Sequence, residues 1–420
     1  MRRFARLAAA VVSAAALAVA GSGMAAAAGA QPAVRPGKVF PRWTPISADI
    51  GIGFASAGLL RTADGRLHVV WPSADNGSYS LHYSTVAGRA RLLNTGTVLG
   101  RWRAVDQFPR LVPLPGGGAG GGAMRLIFDG SNGRRGSPYN VGTFYSATSS
   151  QAGTAWTVLP GSLSRSHVLP LTDDTATAQP DGDPVTAWAT GASLSYHVGA
   201  SRTVPARARD IQIPIGPLGR LQDPTLATTS SGTVWGAWFN SSGTATMGYW
   251  VDRILQGRRT MRKAPGSGGA GLDNSQPLQS VAFALRHGGN GGEFLAYCVP
   301  TRTVSCGHVA LWKVGTKKAM IVPGSASGQD GKVALAAAPD GSLWVAWFDF
   351  RAREIGAVRT NAAVTRFGRV LSIAPPPHLA TFQSLQADAG DGPLDLVALA
   401  QRSAGFSPAF FAARVPATET

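Results

Sequence analysis

The stretch Asp340-Gly341-Ser342-Leu343-Trp344-Val345-Ala346-Trp347-Phe348 decides the architecture. A turn dipeptide is followed at once by a short apolar run that ends on aromatic residues. Asp-Gly between apolar runs signals a hairpin, because glycine accepts positive φ without a Cβ clash and aspartate bonds the backbone of its own turn. The run from Leu343 to Phe348 is short for a helix and too continuous for a strand with one wet face. It reads as a strand covered on both sides. Upstream lies a second apolar run, GKVALAAA, and downstream lie EIGAVRT and FGRVLSI, so the unit holds four strands.

The same unit recurs along the chain. Its second strand is anchored at Trp71 (DGRLHVVW), Phe128 (MRLIF), Trp188 (DPVTAW), Trp238 (GTVWGAW), Tyr297 (EFLAY), Trp347 and Ala398 (PLDLVAL), at intervals of 50 to 60 residues. Asp-Gly turns recur at Asp64-Gly65, Asp181-Gly182 and Asp391-Gly392. Third strands follow as SLHYSTV, TFYSAT, SLSYHV, TMGYWV, HVALWKV and AFFAARV, and outer strands as ARLLNTG, TAWTVLP, ARDIQIPI and KAMIVPG. No stretch has the length and pattern of a long amphipathic helix. A period of this size with four antiparallel strands per unit predicts an all-β fold, a seven-bladed β-propeller of four-stranded blades. Sandwiching each blade between two neighbours explains the continuous apolar runs and makes Trp71, Trp188, Trp238 and Trp347 core residues. The last repeat ends after its third strand. Lys38 to Ile46 therefore supplies the missing outer strand, pairing with Ala409 to Val415 and closing the ring so that no sheet edge is left open.

The N-terminus reads as a secretory signal over residues 1–30. Arg2, Arg3 and Arg6 precede an apolar run from Leu7 to Ala20, too short to span a bilayer comfortably, and Ala28-Gly29-Ala30 offers a cleavage site. The arginine pair hints at twin-arginine export, but the residues after it fit that pattern poorly, and general secretion is favoured. A short lead, 31–37, then precedes a single propeller domain over 38–416, with no transmembrane segment after cleavage. The two cysteines, Cys298 and Cys306, flank one hairpin loop, and in an oxidising compartment such a pair forms a disulfide. The net charge of +17 falls to +14 without the three signal arginines. That excess suits an anionic polysaccharide or another cell-surface component as a partner, or simply keeps the protein soluble. No aromatic-interleaved basic motif argues for nucleic acid. No metal-ligand spacing, phosphate-cradling loop or nucleophile elbow points to a cofactor.

Ser149-Ser150-Gln151-Ala152-Gly153-Thr154-Ala155-Trp156 lies between the third and fourth strands of repeat two. It resembles the Asp-box, S-x-D-x-G-x-T-W, of sialidase-like propellers, with Gln151 in place of the aspartate and Ala155 in place of the threonine. GRLHVVW followed by SLHYSTV, and GSLWVAWFDFR, are also similar to sialidase-type repeats. The Trp-Asp dipeptide and the double glycine of other propeller families are missing. The resemblance implies an arginine cluster, a tyrosine–glutamate nucleophile pair and an aspartate acid/base. The Phe/Tyr-Arg-Ile-Pro motif that carries one such arginine is not present; Phe40-Pro41-Arg42 and Phe108-Pro109-Arg110 only echo it. Of three glutamates, Glu293, Glu354 and Glu419, only Glu354 is placed for chemistry, with Arg351 and Arg353 beside it. Glycoside hydrolysis needs two carboxyl groups at a set separation, and no convincing pair emerges.

In a propeller the loops entering each inner strand share one face with the loops between second and third strands. The entering loops carry Asp106 and Gln107, Asp174, Asp223, Gln276 and Asp330 at equivalent positions, which should ring the mouth of the central channel. Arg351, Arg353 and Glu354 join them from blade six. Such a funnel suits a sugar, an ion or a peptide, while each aspartate alone is equally suited to capping its own turn. Two functions follow: a secreted non-catalytic binding protein for carbohydrate or a cell-surface polymer, or a glycoside hydrolase or lyase reworked around Glu354 and the axial aspartates.

Overall fold

The computed structural model describes residues 36–417 apart from residues 54 and 106 and the segments 116–122, 132–142, 150–152, 161–162, 166–173, 191–192, 200–208, 213–220, 242–245, 269–280, 287–290, 301–305, 327–329 and 403–407. Among these residues the strands form seven small sheets, one per repeat, over residues 58–102, 104–165, 174–212, 221–263, 282–321, 330–373 and 381–415. From the inner strand outward the order follows the chain with antiparallel neighbours, except that two short N-terminal strands lie outermost on blades six and seven and blade two carries short extra strands. The chain forms a seven-bladed β-propeller. The expected signal and the lead as far as residue 35 lie outside the described residues, while Gly37, the end of the expected lead, already belongs to a strand. Among the described residues no helix is long and apolar enough to cross a membrane.

The opening stretch shows why the blades stack. Leu343, Val345 and Trp347 pack with Phe294, Ala296, Val309 and Leu311 of blade five. The alternate residues, Trp344, Ala346 and Phe348, pack with Leu394, Leu396 and Ala398 of blade seven. Successive side chains of a strand point to opposite faces, so a blade covered on both sides must be apolar at every position. Each junction around the ring has its own cluster of this kind. Blade one meets blade two through Val70, Tyr83, Leu111 and Phe128, and blade seven meets blade one through Val397, Leu399, Val69 and Trp71. The four tryptophan anchors are buried, as the sequence predicts. Gly65, Gly182, Gly341 and Gly392 all take positive φ in their Asp-Gly turns, where any other residue would be strained.

Ring closure differs in detail from the single strand expected over Lys38 to Ile46. That segment is divided between two blades. Gly37–Val39 runs parallel to Leu371, Ser372 and Ile373 as a fifth strand on blade six. Thr44–Pro45 then pairs antiparallel with Ala412 and Phe411, and the Ile46 N–H donates to Phe410 O at 2.9 Å. Proline explains the break: Pro41 and Pro45 have no N–H to give a ladder and fix φ, so one uninterrupted strand cannot form. Trp43 pins the crossing between the blades by donating its Nε1–H to Ala374 O at 2.7 Å. Blade four supplies the other departure. Its outer strand, for which the sequence offers no apolar run, is only Arg262–Lys263.

Cys298 and Cys306 are joined as a disulfide, with Cα atoms 4.9 Å apart. They close the loop between second and third strands of blade five, and both are buried against blade six.

Candidate functional site

The inner strands surround an axial cavity of about 200 Å³. Its wall is largely apolar, from residues such as Leu59, Leu111, Phe283, Val333 and Leu385, with Arg110, Thr225 and Gln386 as polar exceptions. Arg110 reaches from blade two to blade three, its Nε–H donating to Thr175 Oγ1 at 3.2 Å. Gln386 spans blades seven and one, donating to Ser56 Oγ at 3.0 Å. Thr225 Oγ1 and Gln107 Oε1 are buried without a hydrogen-bond partner. Such atoms cost free energy unless water or ligand reaches them.

Two inner strands are distorted in the same way. In blades four and six the pairing register slips, between Gln222 and Thr225 and between Gly331 and Ala334. Asp223 and Lys332 sit in these bulges with φ of 49° and 48°. Non-glycine residues in this region store backbone strain, and bulges re-aim side chains near the rims of closed sheets. Asp223 is buried, and its charge acts on both Lys332 and the Tyr249 phenol. Burial pushes the Lys332 ammonium below its ordinary pKa, with the Asp223 carboxylate pulling the other way. Burial raises the Tyr249 phenol, and the negative charge of Asp223 raises it further.

Phe350 stands over the blade-six bulge. A Cβ added to Gly331 would come within 2.9 Å of its ring. Its edge meets Phe348 at 4.9 Å, and Phe348 stacks on Phe382 at 4.1 Å, yet 43% of Phe350 remains exposed. An exposed aromatic ring over a bulge that carries a cation can pack an apolar sugar face while the charge takes hydroxyl or carboxylate groups.

The expected ring of residues is not uniform. Asp223 is at a bulge and Asp174 is buried at the start of the inner strand of blade three. Asp330 opens the inner strand of blade six, opposite Asp349. Gln107 is half-buried and its carbonyl accepts the Ser56 N–H at 2.9 Å. Asp106 and Gln276 lie outside the described residues. From blade six, Arg351 is exposed, whereas Arg353 donates to Leu379 O and Ala380 O and so ties its loop to blade seven. Glu354 is engaged at the outer part of its own sheet: Ser372 donates to its Oε2, and Lys38 Nζ lies 3.9 Å from its Oε1. Among the described residues no group of three or more His, Cys, Asp or Glu could hold a metal ion.

Sequence reasoning missed Lys332 and Phe350. The signal for Phe350 was an aromatic residue inside a polar loop, FDFR, where the fold has no core to fill. Lys332 carried a weaker one, a lysine opening an otherwise apolar strand.

Residues 150–152 of the Asp-box-like segment lie outside the described ones; its remainder, Gly153 to Trp156, leads into the outer strand of blade two. The Trp156 Nε1–H donates to Gly153 O at 3.1 Å, and the turn leans on blade one, where Tyr83 OH donates to Thr154 O at 2.9 Å.

No family model and no curated protein matches this chain. Solved structures do resemble it in fold. A protein of unknown function from Dyadobacter fermentans DSM 18053 is 11% identical, with a TM-score of 0.49, covering 92% of this chain and all of that one. The GH93 α-L-arabinofuranosidase of Fusarium graminearum is 12% identical, with a TM-score of 0.48, covering 90% of this chain and 96% of that one. The Trypanosoma rangeli sialidase is 10% identical, with a TM-score of 0.45, covering 86% of this chain and 54% of that one. At these identities nothing of those proteins' activities transfers to this chain.

Proposed function

We propose that this propeller is an exported, non-catalytic binding protein whose axial mouth holds a carbohydrate, alone or as part of a cell-surface polymer. The observation that carries this reading is the exposed Phe350 ring over the blade-six bulge that holds Lys332, a cation whose charge is felt by Asp223 of the blade-four bulge. Binding rather than hydrolysis is favoured by Glu354, whose carboxylate is occupied by Ser372 and Lys38. A hydrolase needs that group free to give or take a proton at the scissile bond.

The second reading, a glycoside hydrolase or lyase reworked around the axial aspartates, draws on Lys332. A lysine with a depressed pKa near a carboxylate and a phenol is a set that can move protons. Screening the secreted protein on a glycan array and against fluorogenic glycosides and uronate polysaccharides separates the two. The expected result is saturable glycan binding with no released fluorophore and no unsaturated product. Turnover lost on Asp223→Asn would establish the enzyme instead. Mass spectrometry of the secreted chain should find its N-terminus at Gln31.

A further inference from the structure

A second region of the surface carries charge that the axial mouth does not use. Arg258 and Arg259 lie in the third-to-outer connection of blade four, between Arg253 of its third strand and Arg262 and Lys263 of its outer strand. Lys317 and Lys318 lie in the corresponding connection of blade five, after Lys313 at the end of its third strand. The two segments meet: Arg262 Nη1 lies 3.4 Å from Gly315 O, across the blade boundary. Arg258, Arg259, Arg262, Lys313, Lys317 and Lys318 are all exposed.

Both segments are held in shape from beneath. In blade four the fully buried Asp252 carboxylate accepts the N–H groups of Arg253 and Thr260 at 2.9 and 2.8 Å, and Arg259 Nε at 3.0 Å. In blade five Thr316 Oγ1 bonds the carbonyls of Lys313 and Lys318 at 2.8 and 2.9 Å, and Trp312 donates to Thr316 O at 2.9 Å. The cations thus stand on ordered turns, which lowers the entropy lost when a ligand engages them.

Elsewhere Arg61, Arg66, Arg359 and Arg414 make ion pairs. Among the described residues, none of Arg258, Arg262, Lys313, Lys317 or Lys318 is paired with a carboxylate. Glu293, at the start of the neighbouring strand, is the acid that tempers the patch; its carbonyl accepts the Val314 N–H at 2.9 Å. The exposed large apolar residues among the described ones are Phe40, Leu93, Ile321 and Phe350, so the only one beside this patch is aliphatic Ile321. Single-stranded nucleic acid is gripped by aromatic stacking as well as charge, and the aromatic ring beside the patch, half-buried Trp250, already has Lys263 over its ring at 6.0 Å.

We propose that the outer edges of blades four and five form a landing surface for an acidic polysaccharide, a linear sugar polymer with repeated carboxylate, sulfate or phosphate groups. Each bound anion displaces counterions, so binding is strongly salt-dependent and tolerant of the sugar's identity. The surface is separate from the axial mouth, and the inference does not depend on the function proposed for that mouth.

The test uses the full secreted chain and three probes: polygalacturonate, heparin and a phosphodiester-linked glycerol polymer. One variant replaces Arg258, Arg262, Lys317 and Lys318 with Gln. A control removes the same charge elsewhere, at Arg89, Arg91, Arg101 and Arg366, which are exposed on blades one and six. The patch variant should lose about tenfold or more in affinity for at least one probe and show a shallower dependence on salt. The control should stay within about twofold of the native chain. Equal losses in both variants would reduce the patch to general basicity and overturn the proposal. So would unchanged binding by the patch variant, or duplex DNA or anionic vesicles binding more tightly than every polysaccharide. The patch variant, assayed on the neutral glycans of the array, should bind them as the native chain does, so failure at one surface is distinguishable from failure at the other.

Discussion

Buried opposite charges meet in two places in this ring, and they are arranged differently. At the seam between blades seven and one, Arg61 bonds Asp388 at 2.6 Å and reaches Asp391 and Asp395, while Arg414 bonds Asp391 and, at 3.1 Å, Asp395. The side chains of Arg61 and Asp395 are only 6% and 4% exposed. Every group there is answered from within the protein. At the axial mouth, Asp223 and Lys332 face each other from bulged strands of blades that are not adjacent, beside an exposed ring and above a cavity. The first arrangement is closed off by its own ion pairs. The second lies under an exposed aromatic ring. Charge alone therefore does not mark a binding site; what matters is whether a ligand can reach it.

The largest expected effect breaks the seam. Removing one member of a buried ion cluster strands the others, which costs about 3–5 kcal/mol. Arg61→Ala should lower the denaturation midpoint accordingly while leaving glycan affinity unchanged. A loss of affinity at unchanged stability would show that the two regions are not distinct in the way described.

The second effect is a change in pH dependence. Three carboxylates share two guanidiniums at the seam, and burial pushes the Asp395 carboxyl up to about 7 against the pull of Arg61 and Arg414. Raised above its unfolded value, Asp395 contributes stability at low pH that is lost as pH climbs from about 4 to about 7. His68 acts in the opposite sense. Burial beneath Thr62 and Thr85 lowers it to about 4, so its contribution is present above about 6.5 and lost as pH falls toward 4. The two slopes, each up to about 1.4 kcal/mol per pH unit, oppose one another over the same window. Urea denaturation between pH 4 and 7 should show Asp395→Asn gaining stability with rising pH and His68→Gln losing it. Parallel profiles for both variants would remove the titration from the seam.

The smallest effect sharpens the mouth. Phe350→Ala removes an exposed ring that packs on Phe348, so the melting temperature should move little, while glycan affinity falls by about tenfold. An unaltered affinity would demote the ring to a loop ornament.

Much of the fold was legible because alternate residues of one strand serve two neighbours. The run Leu343 to Phe348 alone implied a blade covered on both faces, and repetition supplied the count. Closure was legible in outline only. The sequence showed that an outer strand was missing, but not that prolines would split its replacement between blades six and seven. The disulfide was readable from spacing and compartment. The site was read less well, because position in a repeat says which loop a residue occupies and not where its side chain points. Glu354 stood in the right loop and turned to Ser372 and Lys38; Lys332 stood in a strand and was re-aimed by a bulge that no residue type announces.

The most direct test of the account is the pair Asp223→Ala and Asp330→Ala in one chain, with glycan affinity and melting temperature measured on the same preparations. Asp223 sits in the bulged inner strand of blade four and Asp330 opens the inner strand of blade six, and a desolvated charge-assisted acceptor contributes about 1.5–3 kcal/mol. The account predicts a loss of affinity of more than about tenfold with a fold that still melts cooperatively. A lowered melting temperature with affinity unchanged would assign the axial acids to turn capping alone and contradict it.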